Sequence, residues 1–106
     1  MRENDYQSQL IKDIYKRWPK AFVFKNDPNY MQGVPDLIVL IGKRWAMLEV
    51  KRAPKAPHQP NQDYYVDQMN KMSFAAFIFP ENQEEVLDEM ERSLQPRRKA
   101  RISRGK

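Results

Sequence analysis

Between Pro35 and Lys51 the chain carries two runs that leave little choice of fold. Pro35-Asp36-Leu37-Ile38-Val39-Leu40-Ile41 and Arg44-Trp45-Ala46-Met47-Leu48-Glu49-Val50-Lys51 are rich in large and β-branched apolar residues, and only Gly42-Lys43 separates them. A two-residue connection with glycine first suits a type II′ turn, whose twist matches that of the strands it joins. Both runs are apolar at nearly every position, so the sheet is expected to be covered on both faces.

The flanking segments supply that cover. Asp5 to Trp18 repeats Tyr6, Leu10, Ile11, Ile14, Tyr15 and Trp18 at spacings of three and four, which predicts an amphipathic helix ended by Pro19. Ala21 to Phe24 reads as a short strand, and Asp27-Pro28-Asn29 with Gly33 as a loop. Residues 53–60 hold three prolines and must be a loop. Asn61 to Met72 follows as a helix with Tyr65, Met69 and Met72 inward and Val66 as a further candidate, Phe74 to Phe79 as a buried strand, and Glu81 to Leu94 as a helix with Val86, Leu87, Met90 and Leu94 as its stripe. The methionines at 69, 72 and 90 read as core filling. The order is α-β-β-β-α-β-α, an α/β domain with a mixed sheet flanked by helices over residues 1–95.

The hairpin then fixes which polar groups meet. With Gly42-Lys43 as the turn, Ile41 faces Arg44, and the same register sets Asp36 directly across from Glu49, Cβ atoms ~4.5–5.5 Å apart. Like charges so placed destabilise a sheet, and the strands around them are apolar. A divalent cation supplies the reason that folding does not, because it turns two repelling carboxylates into ligands. Hard oxygen donors without cysteine point to Mg²⁺ or Mn²⁺ rather than zinc. Lys51, two residues beyond Glu49, falls on the same face, where an ammonium can orient an attacking water or stabilise charge on a phosphate.

Composition sets the outer bounds. The 106 residues include no cysteine, which excludes a disulfide framework and thiolate metal sites and fits a reducing, cytoplasmic setting. The longest apolar runs, Leu37–Ile41 and Phe74–Phe79, fall far short of the ~20 residues of a membrane helix, and the polar start Met1-Arg2-Glu3-Asn4-Asp5 is unlike a signal peptide. The formal net charge of +5 is uneven. The basic tail, residues 96–106, carries Arg97, Arg98, Lys99, Arg101, Arg104 and Lys106, and without those six charges the rest stands at −1. Such a tail suits a polyanion through counterion release, and it equally suits solubility alone.

Gly33-Val34-Pro35-Asp36 followed by Glu49-Val50-Lys51 resembles the PD-(D/E)xK nuclease superfamily, and the chain is similar to the small VRR-NUC and Holliday-junction-resolvase-like nucleases of phages and prokaryotes. The resemblance spans about Glu3 to Leu94. It implies a restriction-endonuclease-like fold and a divalent-metal-dependent DNA endonuclease, structure-selective and homodimeric, using Mg²⁺ with Mn²⁺ as a substitute. It assigns the metal-binding acids to Asp36 and Glu49, a main-chain carbonyl ligand to Val50 and the catalytic lysine to Lys51. A further acid near the start of the first helix corresponds to Glu3, with Asp5 as the alternative. Gln62, in Pro60-Asn61-Gln62, matches a glutamine expected to contact substrate or the lysine.

Other residues are read by position. Lys43, Arg44, Arg52 and Lys55 flank the hairpin and suit a groove for the DNA backbone, with Arg97 and Arg98 of the tail. Lys25 follows the first strand, as a phosphate contact or a plain surface lysine. His58, alone in a proline-rich loop, reads as an exposed bystander, and Tyr64 as exposed beside an inward Tyr65. The acids at 81, 84, 85, 88, 89 and 91 make a solvated helix face, so DNA should approach from the hairpin side. Two rivals stay open: a homing-type, nicking or end-trimming nuclease, and a non-catalytic DNA-binding module of the same fold.

Overall fold

The computed structural model describes residues 1–95; the tail, with Arg97 and Arg98, lies outside the described residues. The order is α1 (Glu3–Arg17), β1 (Phe22–Lys25), β2 (Leu37–Ile41), β3 (Arg44–Val50), α2 (Gln62–Met72), β4 (Phe74–Ile78), a 3-10 turn (Pro80–Asn82) and α3 (Gln83–Leu94). This is an α/β fold in the expected order. Its four-stranded sheet runs β1-β2-β3-β4, antiparallel up to β3, with β4 parallel to β3 after the α2 crossover.

The hairpin register is the expected one. Ile41 pairs with Arg44, and the ladder continues to Leu37 and Leu48. Gly42 has φ +60°, and the only non-glycine residue with positive φ among those described is Asn61, so Lys43 keeps negative φ as a type II′ turn requires.

One sheet face holds the core. Leu37, Val39, Ala46, Leu48, Val50, Phe74 and Ile78 pack there against Tyr6, Leu10 and Ile14 of α1 and Val86, Leu87, Met90 and Leu94 of α3. Leu10, Ile14, Leu37, Leu48 and Ile78 are fully buried, each worth about 1.5–3 kcal/mol of transfer free energy. Polar ties join the two helices at their rims: Arg17 to Asp88 and Glu91, and Gln83 to Tyr6 and Asp13.

The expectation of full cover on both faces is corrected. α2 packs chiefly on β3 and β4, and β1 stays open on that side, with Phe22 61% and Phe24 52% exposed and Ile38 and Leu40 of β2 only partly buried. Met72 is exposed rather than core, and Val66 is the buried residue of α2. Several ends also shift. Pro35 and Asp36 precede β2, Lys51 follows β3, and α1 starts two residues early, at Glu3. α3 starts at Gln83 because Asn82 takes the Phe79 N–H at 2.8 Å and donates to the Phe77 carbonyl at 3.1 Å, closing a tight turn first.

Candidate active site

The site forms where β2 and β3 run out of ladder. Pro35 has no N–H to give, and its carbonyl accepts from Asn26 Nδ2 at 2.8 Å. The Asp36 carboxylate takes over: its Oδ2 accepts the Val50 N–H at 2.9 Å, while the Asp36 carbonyl accepts the Asn26 N–H at 2.8 Å. Asp36 is thus anchored at the sheet end by main chain on both sides. The N–H and C=O of one strand residue point toward the same neighbouring strand, so the Val50 carbonyl faces the Asp36 side as well.

Alternation sends Glu49 and Lys51 to the face away from Leu48 and Val50, and there Gln62, the first residue of α2, meets both. Gln62 Nε2 donates to Glu49 Oε2 at 2.8 Å, and Gln62 Oε1 accepts from Lys51 Nζ at 2.8 Å and from the Gln59 N–H at 2.8 Å. Lys51 Nζ also donates to the Pro57 carbonyl at 2.9 Å and lies 3.8 Å from Glu49 Oε2. Glu49 and Lys51 are the two buried charged residues among those described.

Glycine at 33 is needed for this closeness. Its φ is +93°, and an added Cβ would lie 2.5 Å from Asn61 Cβ, so only glycine lets the loop before Asp36 press on the start of α2.

Glu49 has the site's most perturbed chemistry. Burial, then the Asp36 charge, pushes its carboxyl from 4.5 up to about 8, with Lys51 pulling the other way and Glu3 adding to the rise. Its Oε1 is buried with no hydrogen-bond partner, alone in this among the described side chains. An orphaned, desolvated acceptor beside a second carboxylate is a donor set that suits a hard divalent cation. Among the described residues no three of His, Cys, Asp and Glu converge closely enough to hold an ion, so the acids here are a pair.

A cleft of about 450 Å³ opens over the pair, with Glu3, Arg2 and Arg52 on its walls beside Lys51 and Gln62. Glu3, in the first turn of α1, reaches the cleft; Asp5 instead pairs with Arg2 at 3.4 Å. Of the cations expected to line a groove, Arg52 does so. Lys43 and Arg44 sit at the far end of the hairpin, Arg44 five residues and about 17 Å from Glu49 and Lys43 further still. Lys25 pairs with Leu37, on the opposite sheet face, and Lys55 does not line the cleft.

Sequence reasoning missed Arg2; His58 is exposed as expected, but it is packed rather than free. The His58 ring stacks on Phe77, centroids 4.1 Å apart and planes 13° from parallel, and Nδ1 lies 2.8 Å from Asp63 Oδ1. A cation next to Glu3 was the available signal for Arg2. None existed for His58, because Phe77 reaches it only through the parallel pairing of β4. Comparison of the chain with known family models, with curated proteins and with solved structures finds no match.

Proposed function

We propose that the chain is a divalent-metal-dependent deoxyribonuclease of restriction-endonuclease-like fold, hydrolysing phosphodiester bonds in DNA and acting on branched structures. The observation that carries this reading is the buried, unpartnered Glu49 Oε1 beside the opposed Asp36 carboxylate, at the floor of an open cleft. Packing gives no return for such a group, since a buried acceptor without a partner costs about 1–3 kcal/mol. The likeness of Gly33-Val34-Pro35-Asp36 and Glu49-Val50-Lys51 to PD-(D/E)xK nucleases supports the same reading.

Asp36 and Glu49 would hold the cation, with the Val50 carbonyl on their side and Glu3 as a further acid across the cleft. Mg²⁺, or Mn²⁺ in its place, supplies there a charge that polarises the phosphoryl group and acidifies water. The rest belongs to the chain's own groups. The Lys51 ammonium, held by Gln62 and Pro57, stabilises negative charge growing on the phosphate, in a desolvated place where one charge counts for more than in water. Arg2 and Arg52 stand where they would grip the neighbouring phosphates, which positions the strand without reading its bases.

The reading extends to a homodimer. Phe22 and Phe24 lie on the face shared by Asp36 and Glu49, their rings 6.3 Å apart and near parallel, beside Ile38, Leu40, Trp45 and Met47. No charged residue interrupts that set, and a second copy would cover it. Two sites related by a two-fold axis suit a four-way junction.

The deciding experiment offers a four-way junction and linear duplex to the protein with Mg²⁺ and with EDTA, alongside Asp36→Asn and Lys51→Ala. Mg²⁺-dependent cleavage of the junction, lost in both variants, is expected. Cutting confined to linear DNA or its ends favours a homing-type, nicking or end-trimming enzyme. Salt-sensitive binding without cleavage in Mg²⁺ or Mn²⁺ leaves the non-catalytic module.

A further inference from the structure

We propose that His58 is a positioning residue for Lys51, acting through the proline-rich strap of residues 53–60. The strap turns back over the cleft. Its Pro57 carbonyl is one of two hydrogen-bond acceptors of Lys51 Nζ, at 2.9 Å, and its Gln59 N–H holds the other, Gln62 Oε1, at 2.8 Å. Lysine is a point charge on a flexible four-carbon stem, so the place of its ammonium is set by what it donates to. Two acceptors fix Nζ here, and the strap supplies one and steadies the other.

The strap has little to hold it by burial. Pro54, Lys55 and residues 57–60 are exposed, and no strand or helix runs through them. His58 is its anchor on two sides. Its ring lies on Phe77, which pairs with Glu49 across β3 and β4 and so stands on the site's own sheet face; its Nδ1 meets Asp63 of α2. The strap residues lining the cleft include Ala56, Pro57 and Gln59, and His58 is not among them. His58 thus stands outside the cleft wall. It acts on its chain neighbour Pro57, whose ring already fixes φ, so that holding His58 aims the Pro57 carbonyl.

The catalytic consequence rests on the nuclease reading; the structural one does not, and the test separates them. Trace acetylation of the metal-free full-length protein with acetic anhydride, read by mass spectrometry, compares Lys51 with exposed Lys12. In the wild type Lys51 is protected. In His58→Ala its labelling relative to Lys12 rises about tenfold, the loss of one hydrogen bond to a charged group, with an unchanged melting temperature. His58→Phe keeps a ring on Phe77 and restores protection. In DNA cleavage, His58→Ala lowers kcat about tenfold and changes KM by less than about twofold, as expected when a group acting in the transition state is misplaced. Equal labelling of Lys51 in wild type and His58→Ala overturns the proposal, as does His58→Phe labelled as fast as His58→Ala. If the wild type cleaves no DNA, the nuclease reading falls while the labelling still decides the role of His58.

Discussion

The Asp36 carboxylate, not a main-chain carbonyl, accepts the Val50 N–H at 2.9 Å, so the acid closest to the proposed chemistry is also the last rung of the hairpin. Two demands meet on one side chain. Its charge is strained by Glu49, and its oxygen is needed by the backbone.

Those demands separate by mutation. Asp36→Asn keeps an oxygen for Val50 and removes the charge, so the metal-free protein should be at least as stable as wild type above pH 8. Asp36→Ala also relieves the repulsion but leaves the Val50 N–H without its acceptor, a cost of about 1–3 kcal/mol. Asn should therefore exceed Ala in urea unfolding by about 1 kcal/mol or more, with cleavage lost in both. Equal stability of the two variants would show that the carboxylate does not serve the backbone.

Glu49 predicts how stability runs with pH. Its folded value, about 8, lies above its ordinary 4.5, so between the two the native chain keeps a proton that the unfolded chain releases. Stability must fall as pH rises through that window: the contribution is complete below pH 4.5 and gone above about 8, on the order of a few kcal/mol. Melting of metal-free wild type against Glu49→Gln, from pH 5 to 9, isolates it. The difference should grow with pH in favour of Gln, and Mg²⁺ should raise the wild-type melting temperature more at pH 9 than at pH 5, because cation and proton compete for one carboxylate. A difference that is flat across the range would sink this account.

Gln62 joins Glu49 to Lys51 through both ends of one amide, and its Oε1 also accepts the Gln59 N–H. Gln62→Leu should cut kcat about tenfold to a hundredfold by freeing both groups, and should lower stability by about 1–3 kcal/mol through the buried polar atoms it abandons. Gln62→Glu keeps the acceptor for Lys51 and adds a third acid, so it should lose more stability at pH 9 than at pH 5. Full activity in the leucine variant would remove Gln62 from the site.

How far the sequence could be read follows from what each contact depends on. Asp36, Glu49 and Lys51 were legible because a two-residue turn fixes the register and strand alternation does the rest, both local. On α2 only Met72 departs from the expected inward face, since Tyr65 and Met69 are partly buried and Val66 is buried. The helix is turned so that Gln62 points at the acids, and Val66 and Met69 follow it at four and seven residues. A polar side chain set that rotation, and hydrophobic periodicity carries no sign of it. The His58–Phe77 stack and the place of Arg2 arise from segments far apart in sequence, which no local pattern records.

The open sheet face gives the last prediction. Phe22 and Phe24 sit on the edge strand, yet strand addition there meets an obstacle, because the Val23 N–H already donates to the Tyr15 hydroxyl at 2.9 Å. A second copy would therefore meet the face rather than the edge, through rings that together leave on the order of 200 Å² exposed. A stable pair needs about 800 Å² from each partner, so neighbouring side chains must join the contact. Sedimentation of the wild type should give a dimer, and Phe22→Ser with Phe24→Ser a folded monomer. Because the substitutions leave the carboxylates and Lys51 untouched, the monomer should still make single nicks in a branched DNA with Mg²⁺ while losing paired cuts across a junction. A doubly substituted protein that still sediments as a dimer would place the contact elsewhere, and a wild type that sediments as a monomer would end the two-fold reading of the substrate.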